Sequence, residues 1–381
     1  TMAVDKQDKV LNVPNLRFPE FKDEWELHPT TDFFEFKNGL NPDSKRFGSG
    51  TKFISVMDIL NNRYITYDKI KAFVEPKGND LNEFGVNYGD VLFQRSSETL
   101  EDVGRANVYL DNKTALFGGF VIRGKKIGKY NPLFFRYLLS SPHVRKRIVV
   151  KGAGAQHFNI GQDGLSKISI FVPTTKEQER IAQLLDLIDE RIEVQIRIIE
   201  KLQSLMKGLA EHLTAFTPNT KIADSLNCHS SVLQENQVKN KGNYKVYGAN
   251  GICGYSDSPA ILEDAILIVK DGSGVGNVSY ASGEYSVIGT SNYLTAKSGY
   301  SLKYLYYCLM IFNFVPYRTG MAIPHIYFKD YGKALIYCPS LDKQVQIATL
   351  LSMIECKIEA EKAITDSYQQ QKRFLLQSMF I

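Results

Sequence analysis

From Ile181 onward the apolar positions alternate steps of four and three: Ile181, Leu185, Ile188, Ile192, then Ile199, Leu202, Met206, Leu209 and Leu213, broken only by Gln195. A heptad seam of this length predicts one long helix with a single buried face. Thr174 and Thr175 after Pro173 are candidate N-caps, with Glu177 and Glu179 near the positive end of the helix dipole, and Pro218 ends the run. A second helix of similar length is predicted from Asp342 to about Met379; its seam is weaker, because Glu361, Thr365 and Lys372 hold seam positions. Roughly 40 helical residues span about 60 Å. Two such helices in one chain most simply pack antiparallel on each other. Gln195 and Glu361 fall at matching seam positions, which suits a register-setting pair or a locally wet patch.

Ahead of each helix the pattern changes to short β-type runs punctuated by Gly, Asn, Asp and Ser. In the first half these are 52–56, 90–94, 107–110 and 119–123, followed by a helix over Pro132–Ser140. In the second they are 244–247, 265–269, 277–280 and 286–288, followed by a helix over Leu302–Phe312. The order is the same in both.

The residues repeat as well as the elements. At an offset of 166, Pro173 with Gln178, Ile181 and Ala182 faces Pro339 with Gln344, Ile347 and Ala348, and Gly154 faces Gly320. At 170, Tyr130–Leu139 faces Tyr300–Leu309, and at 174 Asp90 faces Asp264. Such drift is what loop deletions leave behind. The helical ends are most alike and the globular parts have diverged.

Composition changes this picture little. A chain of 381 residues predicts two or three domains, and 44% hydrophobic with 23% charged residues is ordinary for a globular protein. A net charge of +5 is compatible with nucleic acid without requiring it. The five cysteines form no C-x-x-C pair, so free thiols in a reducing cytoplasm are expected. Residues 1–13 hold no long apolar stretch, and the most apolar run, Tyr304–Pro316, is too short to cross a membrane. A cytoplasmic, non-membrane protein is expected.

No catalytic pattern in the sequence is complete. Gly272–Gly276 follows a strand, but strand-and-turn sequence follows it where a phosphate-binding loop needs a helix. Asn131-Pro132-Leu133-Phe134 only faintly echoes a methyltransferase motif and reads as a helix start. Asp68, Glu75 and Lys77, and separately Glu355-Cys356-Lys357, are too short to define a metal-dependent nuclease. Cys228-His229 lacks a second pair of metal ligands, and His143, His157, His229 and His325 fit no triad spacing.

The features that remain point to DNA. Arg123–Lys151 carries nine basic residues and no acidic one, a balance that phosphate would relieve. Lys125, Lys126, Arg145, Lys146 and Arg147 are its candidate contacts, joined by Arg95, Ser96 and Arg105, and by Gln156 and His157 in the Gly-rich loop 152–159. The second half offers Asn250, Lys270, Asp271, Ser273, Asn277, Arg318 and His325. Arg, Gln and Asn suit base edges. Unlike loops on two like domains predict two unlike half-sites.

Taken together, the Pro-x-x-x-x-Gln-x-x-Ile-Ala helix start and its copy resemble the DNA-specificity subunit of type I restriction-modification systems. Gly89–Glu98 and Glu263–Ile268 are similar to that family's target-recognition strands, and Asn15–Phe21 before Trp25 to the start of several members. The resemblance implies a mixed α/β fold with an internal pseudo-two-fold repeat: two target-recognition domains separated by two long antiparallel helices. The expected layout is a flexible segment over 1–14, recognition domains over 15–173 and 218–339, and spacer helices over 174–217 and 340–381. It further implies double-stranded DNA and two methylation subunits as partners, with restriction subunits completing the complex. No cofactor is expected in this chain; S-adenosylmethionine, ATP and Mg are expected on those subunits, so the chain would not be an enzyme. A stand-alone methyltransferase or nuclease, and a coiled-coil scaffold, are the alternatives.

Overall fold

The computed structural model describes residues 11–154 and 156–381. The first ten residues of the expected flexible segment, and Ala155 of the Gly-rich loop, lie outside the described residues. The chain forms two compact units, one made of the chain up to Val194 together with Ile364–Ile381, the other of Gln195–Ala363. Each is mixed α/β.

In the first unit a four-stranded antiparallel sheet is built from β1 (Phe34–Asn38), β2 (Val91–Gln94), β3 (Ala106–Val108) and β4 (Val121–Lys126), in the order β1-β4-β2-β3. The second unit repeats it with β5 (Leu226–Ser230), β6 (Ala265–Val269), β7 (Val278–Ala281) and β8 (Ser291–Ala296), in the order β5-β8-β6-β7. A three-stranded sheet with one antiparallel and one parallel pairing accompanies each, and a two-stranded pair, Glu26–Pro29 with Ser169–Val172 or Thr220–Lys221 with Leu335–Ile336, stands before each long helix. The repeat is therefore one of topology. Register refines the sequence alignment: Gln94 pairs with Val121 as Val269 pairs with Ser291, which puts β2 and β6 one residue away from the match of Asp90 with Asp264.

Helix α1 (Pro132–Ser140) packs on the first sheet, capped by the Asn131 side chain, which accepts from the Phe134 N–H at 3.0 Å, with Pro132 supplying a preset φ at the first turn. The Asn-Pro pair is thus a helix start. Helix α2 (Pro142–Val149) follows directly, its Val144 and Ile148 buried four residues apart. The second unit has α4 (Leu302–Ile311), capped by Ser301, and only a 3-10 turn, Val315–Tyr317, where α2 would stand.

The long helices are α3 (Thr175–Thr214) and α5 (Leu341–Ser378). At its two ends the seam does what its spacing predicts, with Met206, Leu209 and Leu213 half-buried against the second core. Ile181, Leu185 and Ile188 of α3 lie in one core with Leu375, Met379 and Phe380, and in the second unit Ala210 shares a core with Ile347 and Leu351. In each unit the early part of one helix meets the late part of the other, so the pairing is antiparallel. Glu361 and Thr365 are buried despite their polarity.

Two residues explain why the helix starts look alike. The side-chain carbonyl of Gln178 accepts from the Asn131 N–H at 2.9 Å, and its amide donates to the Pro173 carbonyl at 2.9 Å. Gln344 does the same with Ser301 and Pro339, at 2.9 and 2.8 Å. Both glutamines are buried. Each ties the start of a long helix to the cap of the shorter helix. Glu177, also buried, accepts from Arg17 at 2.7 and 2.8 Å and from the Trp25 indole N–H at 3.3 Å, which accounts for the Arg17 and Trp25 signal near the start of the chain.

Candidate nucleic-acid interface

Both units end their central strand in a polar loop crossed by a second loop. In the first, β2 leads into Arg95, whose main-chain N–H donates to the Phe120 carbonyl at 2.9 Å and whose Nη1 donates to Gly119 at 3.3 Å. The short strand Ser96–Ser97 pairs with Phe158–Asn159, and the Ser96 hydroxyl bonds the Asn159 side chain. Ala153 and Asn159 exchange main-chain bonds of 2.9 and 2.8 Å, closing a turn that presents Gln156 and His157 to solvent.

The second unit repeats this construction with other side chains. Lys270 donates its N–H to Thr290 at 2.9 Å, Asp271 bridges to His325, and Thr319 and His325 exchange bonds of 2.9 and 2.8 Å. The Asp271 carboxylate lies 3.6 Å from Lys270 Nζ and 3.5 Å from His325 Nδ1. Arg318 donates to the Val275 carbonyl at 2.8 Å, and a Cβ on Gly274 would stand 3.2 Å from the Asn277 amide and 3.8 Å from Ala249. This places Asn250, Lys270, Asp271, Ser273, Asn277, Arg318 and His325 in one neighbourhood, with Asn250, Ser273 and Asn277 exposed. Gly272–Gly276 turns between β6 and β7, with no helix behind it.

In the first unit the predicted residues divide. Arg95, Ser96, Gln156 and His157 come together. Lys125 and Lys126 sit at the opposite end of β4, opposite Glu35 and Phe34, where Lys126 donates to the Tyr130 carbonyl at 3.2 Å and burial lowers its pKa. Lys146 is exposed on α2.

The run of nine basic residues is not one anion-facing patch. Arg123 is buried and bonds the carbonyls of Gly85 and Glu83; Arg136 pairs with Asp189 at 3.0 Å. Arg147 donates to the Ser169 carbonyl at 2.8 Å, with its guanidinium over Phe171. Arg145 donates to the carbonyls of Glu101 and Val103 at 2.8 and 2.7 Å, while burial chiefly, with Arg105 adding repulsion, lowers its pKa to about 10. Acceptors from elsewhere in the fold supply the balance the segment lacks. Arg105 itself is exposed and pairs with Asp102 at 2.5 Å.

Phe120 and Thr290 escaped the sequence reading of the site, and Asn159 was read only as the end of its loop. Phe120, an apolar side chain left 70% exposed, sits beside Arg95 at the tip of the Gly118-Gly119 turn, and Asn159 and Thr290 hold the crossing loops. A paired glycine followed by an aromatic between two strands was the available signal for the first.

Glu355 accepts from Tyr306, Tyr307 and Lys303 at 3.2, 2.9 and 2.8 Å. All five cysteines are free thiols, and burial pushes Cys228 up to about 11. Among the described residues no cluster of His, Cys, Asp and Glu is placed to hold a metal ion, and no helix is long and apolar enough to cross a membrane.

This duplicated frame is also what known proteins share with the chain. The family described as the type I restriction modification DNA specificity domain matches residues 22–204 and again 221–368. The chain belongs to that family. It is 25% identical over 209 residues to a putative type I restriction enzyme MjaX specificity subunit of Methanocaldococcus jannaschii, covering 53% of this chain and 48% of that one. It is 26% identical over 153 residues to the type I restriction enzyme EcoKI specificity subunit of Escherichia coli K12, covering 39% and 32%. The chain thus spans about half or less of the length of the curated relatives it matches. The crystal structure of a type I restriction-modification S subunit from M. genitalium superposes with a TM-score of 0.62 at 17% identity, covering 97% of this chain and 99% of that one. A structure from work on assembly and conformational transition of the type I system gives 0.54 at 14% identity, covering 92% and 96%. These likenesses are of fold.

Proposed function

We propose that the chain is the sequence-specific DNA-binding subunit of a type I restriction-modification complex, each unit reading one half of a bipartite, asymmetric target in double-stranded DNA. The observation that carries this is duplication of the frame with divergence of the loops. Arg95, Ser96 and Asn159 hold in one unit the places that Lys270, Asp271 and His325 hold in the other. Two like loops would suit a palindrome; two unlike loops suit unlike half-sites.

On this reading α3 and α5 space the units and dock two methylation subunits, and restriction subunits add translocation and cleavage. The chain contributes recognition and no catalysis, and S-adenosylmethionine, ATP and Mg belong to the partners. Methylome sequencing of cells with and without the gene tests it. Loss of one bipartite adenine-methylation motif is the expected result, and an unchanged methylome overturns the reading.

A further inference from the structure

In the first unit the short helix Val56–Asn61, the edge strand β3 and helices α1 and α2 border a cavity of about 420 Å³. Arg105, Arg136 and Arg145 line it, against a single carboxylate, Glu101. Arg136 is held by Asp189 and Arg105 by Asp102. Among the described residues Arg145 bonds main-chain carbonyls through Nη2, and its Nη1 is buried with no hydrogen-bond partner. The cavity wall thus carries three guanidinium groups against one carboxylate, a surplus that a tetrahedral phosphoryl anion offsets, and the guanidinium fork matches phosphoryl oxygens.

The repeat provides an internal control. Sheet register makes Asn277 the counterpart of Arg105, since Val108 opposes Val91 as Tyr280 opposes Ile266. At an offset of 170 Tyr306 is the counterpart of Arg136, and the 3-10 turn Val315–Tyr317 stands where α2 carries Arg145. The shared fold therefore does not require these arginines.

We propose that this cavity is a phosphoryl-binding site, peculiar to the first unit, in which Arg105 and Arg145 hold the anion and Arg136 adds a fixed charge. The occupant is a backbone phosphate of bound DNA or a free phosphorylated compound; both present anionic phosphoryl oxygens to the arginines. The first source rests on the function proposed above, the second does not.

Calorimetric titration of the full chain with inorganic pyrophosphate at low salt tests it, together with the salt dependence of duplex binding. One site per chain is expected, weakened at least tenfold in both Arg105→Gln and Arg145→Met. Arg105 is exposed and partnered by a surface aspartate, so Arg105→Gln keeps its melting temperature and decides the matter if Arg145→Met does not fold. If DNA phosphate is the occupant, pyrophosphate competes with duplex and Arg105→Gln reduces the log–log salt slope by about one. If a free compound is the occupant, pyrophosphate binds and neither change is seen. Pyrophosphate binding that survives both substitutions overturns the proposal, as does no binding at millimolar concentration with an unaltered salt slope.

Discussion

The side-chain amide of Gln195 donates to the carboxylate of Glu361, and the two residues hold the same place in the two copies of the long helix. Both are buried, and Lys357 also pairs with Glu361. A buried polar pair contributes to register more than to stability. Gln195→Leu removes a donor from a buried carboxylate and is expected to cost about 1–3 kcal/mol in urea unfolding. Gln195→Leu combined with Glu361→Leu is expected to recover most of that loss. A double variant no more stable than the single one would show that the pair is not coupled.

The glutamine clamps offer a second test. Gln178→Leu leaves the Asn131 N–H and the Pro173 carbonyl without their side-chain partner, and Gln344→Leu does so for Ser301 and Pro339. Each is expected to cost about 1–3 kcal/mol. Hydrogen exchange is expected to rise at the start of α1 in the first variant and of α4 in the second. Equal loosening at both places in either variant would count against two separate clamps.

Acid stability is expected to depend on Asp189. Burial pushes its pKa up, but Arg136, Lys372 at 2.5 Å and the Tyr137 hydroxyl outweigh that and leave it below the ordinary aspartate value. A carboxylate whose folded pKa is depressed stabilises the fold above the unfolded value of roughly 3.9, and this contribution fades as pH falls through the lower folded value. Asp189→Asn is expected to be less stable at neutral pH and to show a shallower fall in unfolding free energy below about pH 4. Parallel pH curves for the two proteins would remove the ion cluster from the account.

Gly154 and Gly320 occupy the same turn of the two crossing loops, with φ of 144° and 85°. A Cβ would lie 2.0 Å from the His157 carbonyl oxygen in one and 2.3 Å from that of Ile323 in the other. Gly154→Ala and Gly320→Ala are therefore expected to distort one loop each. On the proposed function, each lowers affinity for duplexes through one half-site, so that changing the bases of that half-site matters less than in the wild type. Binding to duplexes altered in either half measures this.

Much of the frame was legible because it is local. The heptad seam located α3, the repeat of its start located α5, and the Asn131-Pro132 start with the apolar run behind it placed α1. Strand β1, Phe-Glu-Phe-Lys-Asn, went unread because it is short and charged, and its pairing with β4 lies far along the chain. Helix α2 was hidden by its own charge, since only Val144 and Ile148 mark the buried side. The site was legible by neighbourhood more than by residue. Loop residues beside strand ends did gather, whereas Arg145 and Arg147 turned inward to the main-chain carbonyls of Glu101, Val103 and Ser169. A carbonyl has no sequence signature, so nothing in the chain announces which arginine it will take.

Phe380 packs edge-on against Trp25 and beside Phe134, with ring centroids 6.2 and 5.6 Å apart, and Leu375 and Met379 lie in the same core. On the ribosome Leu375, Met379 and Phe380 emerge only after the whole of Gln195–Ala363. The unit that is begun first is thus the one finished last, and it must wait, with the wall around Trp25 open, until its neighbour in sequence has been made. A nascent chain stalled before Leu375 would hold a closable second unit and an unsealed first one.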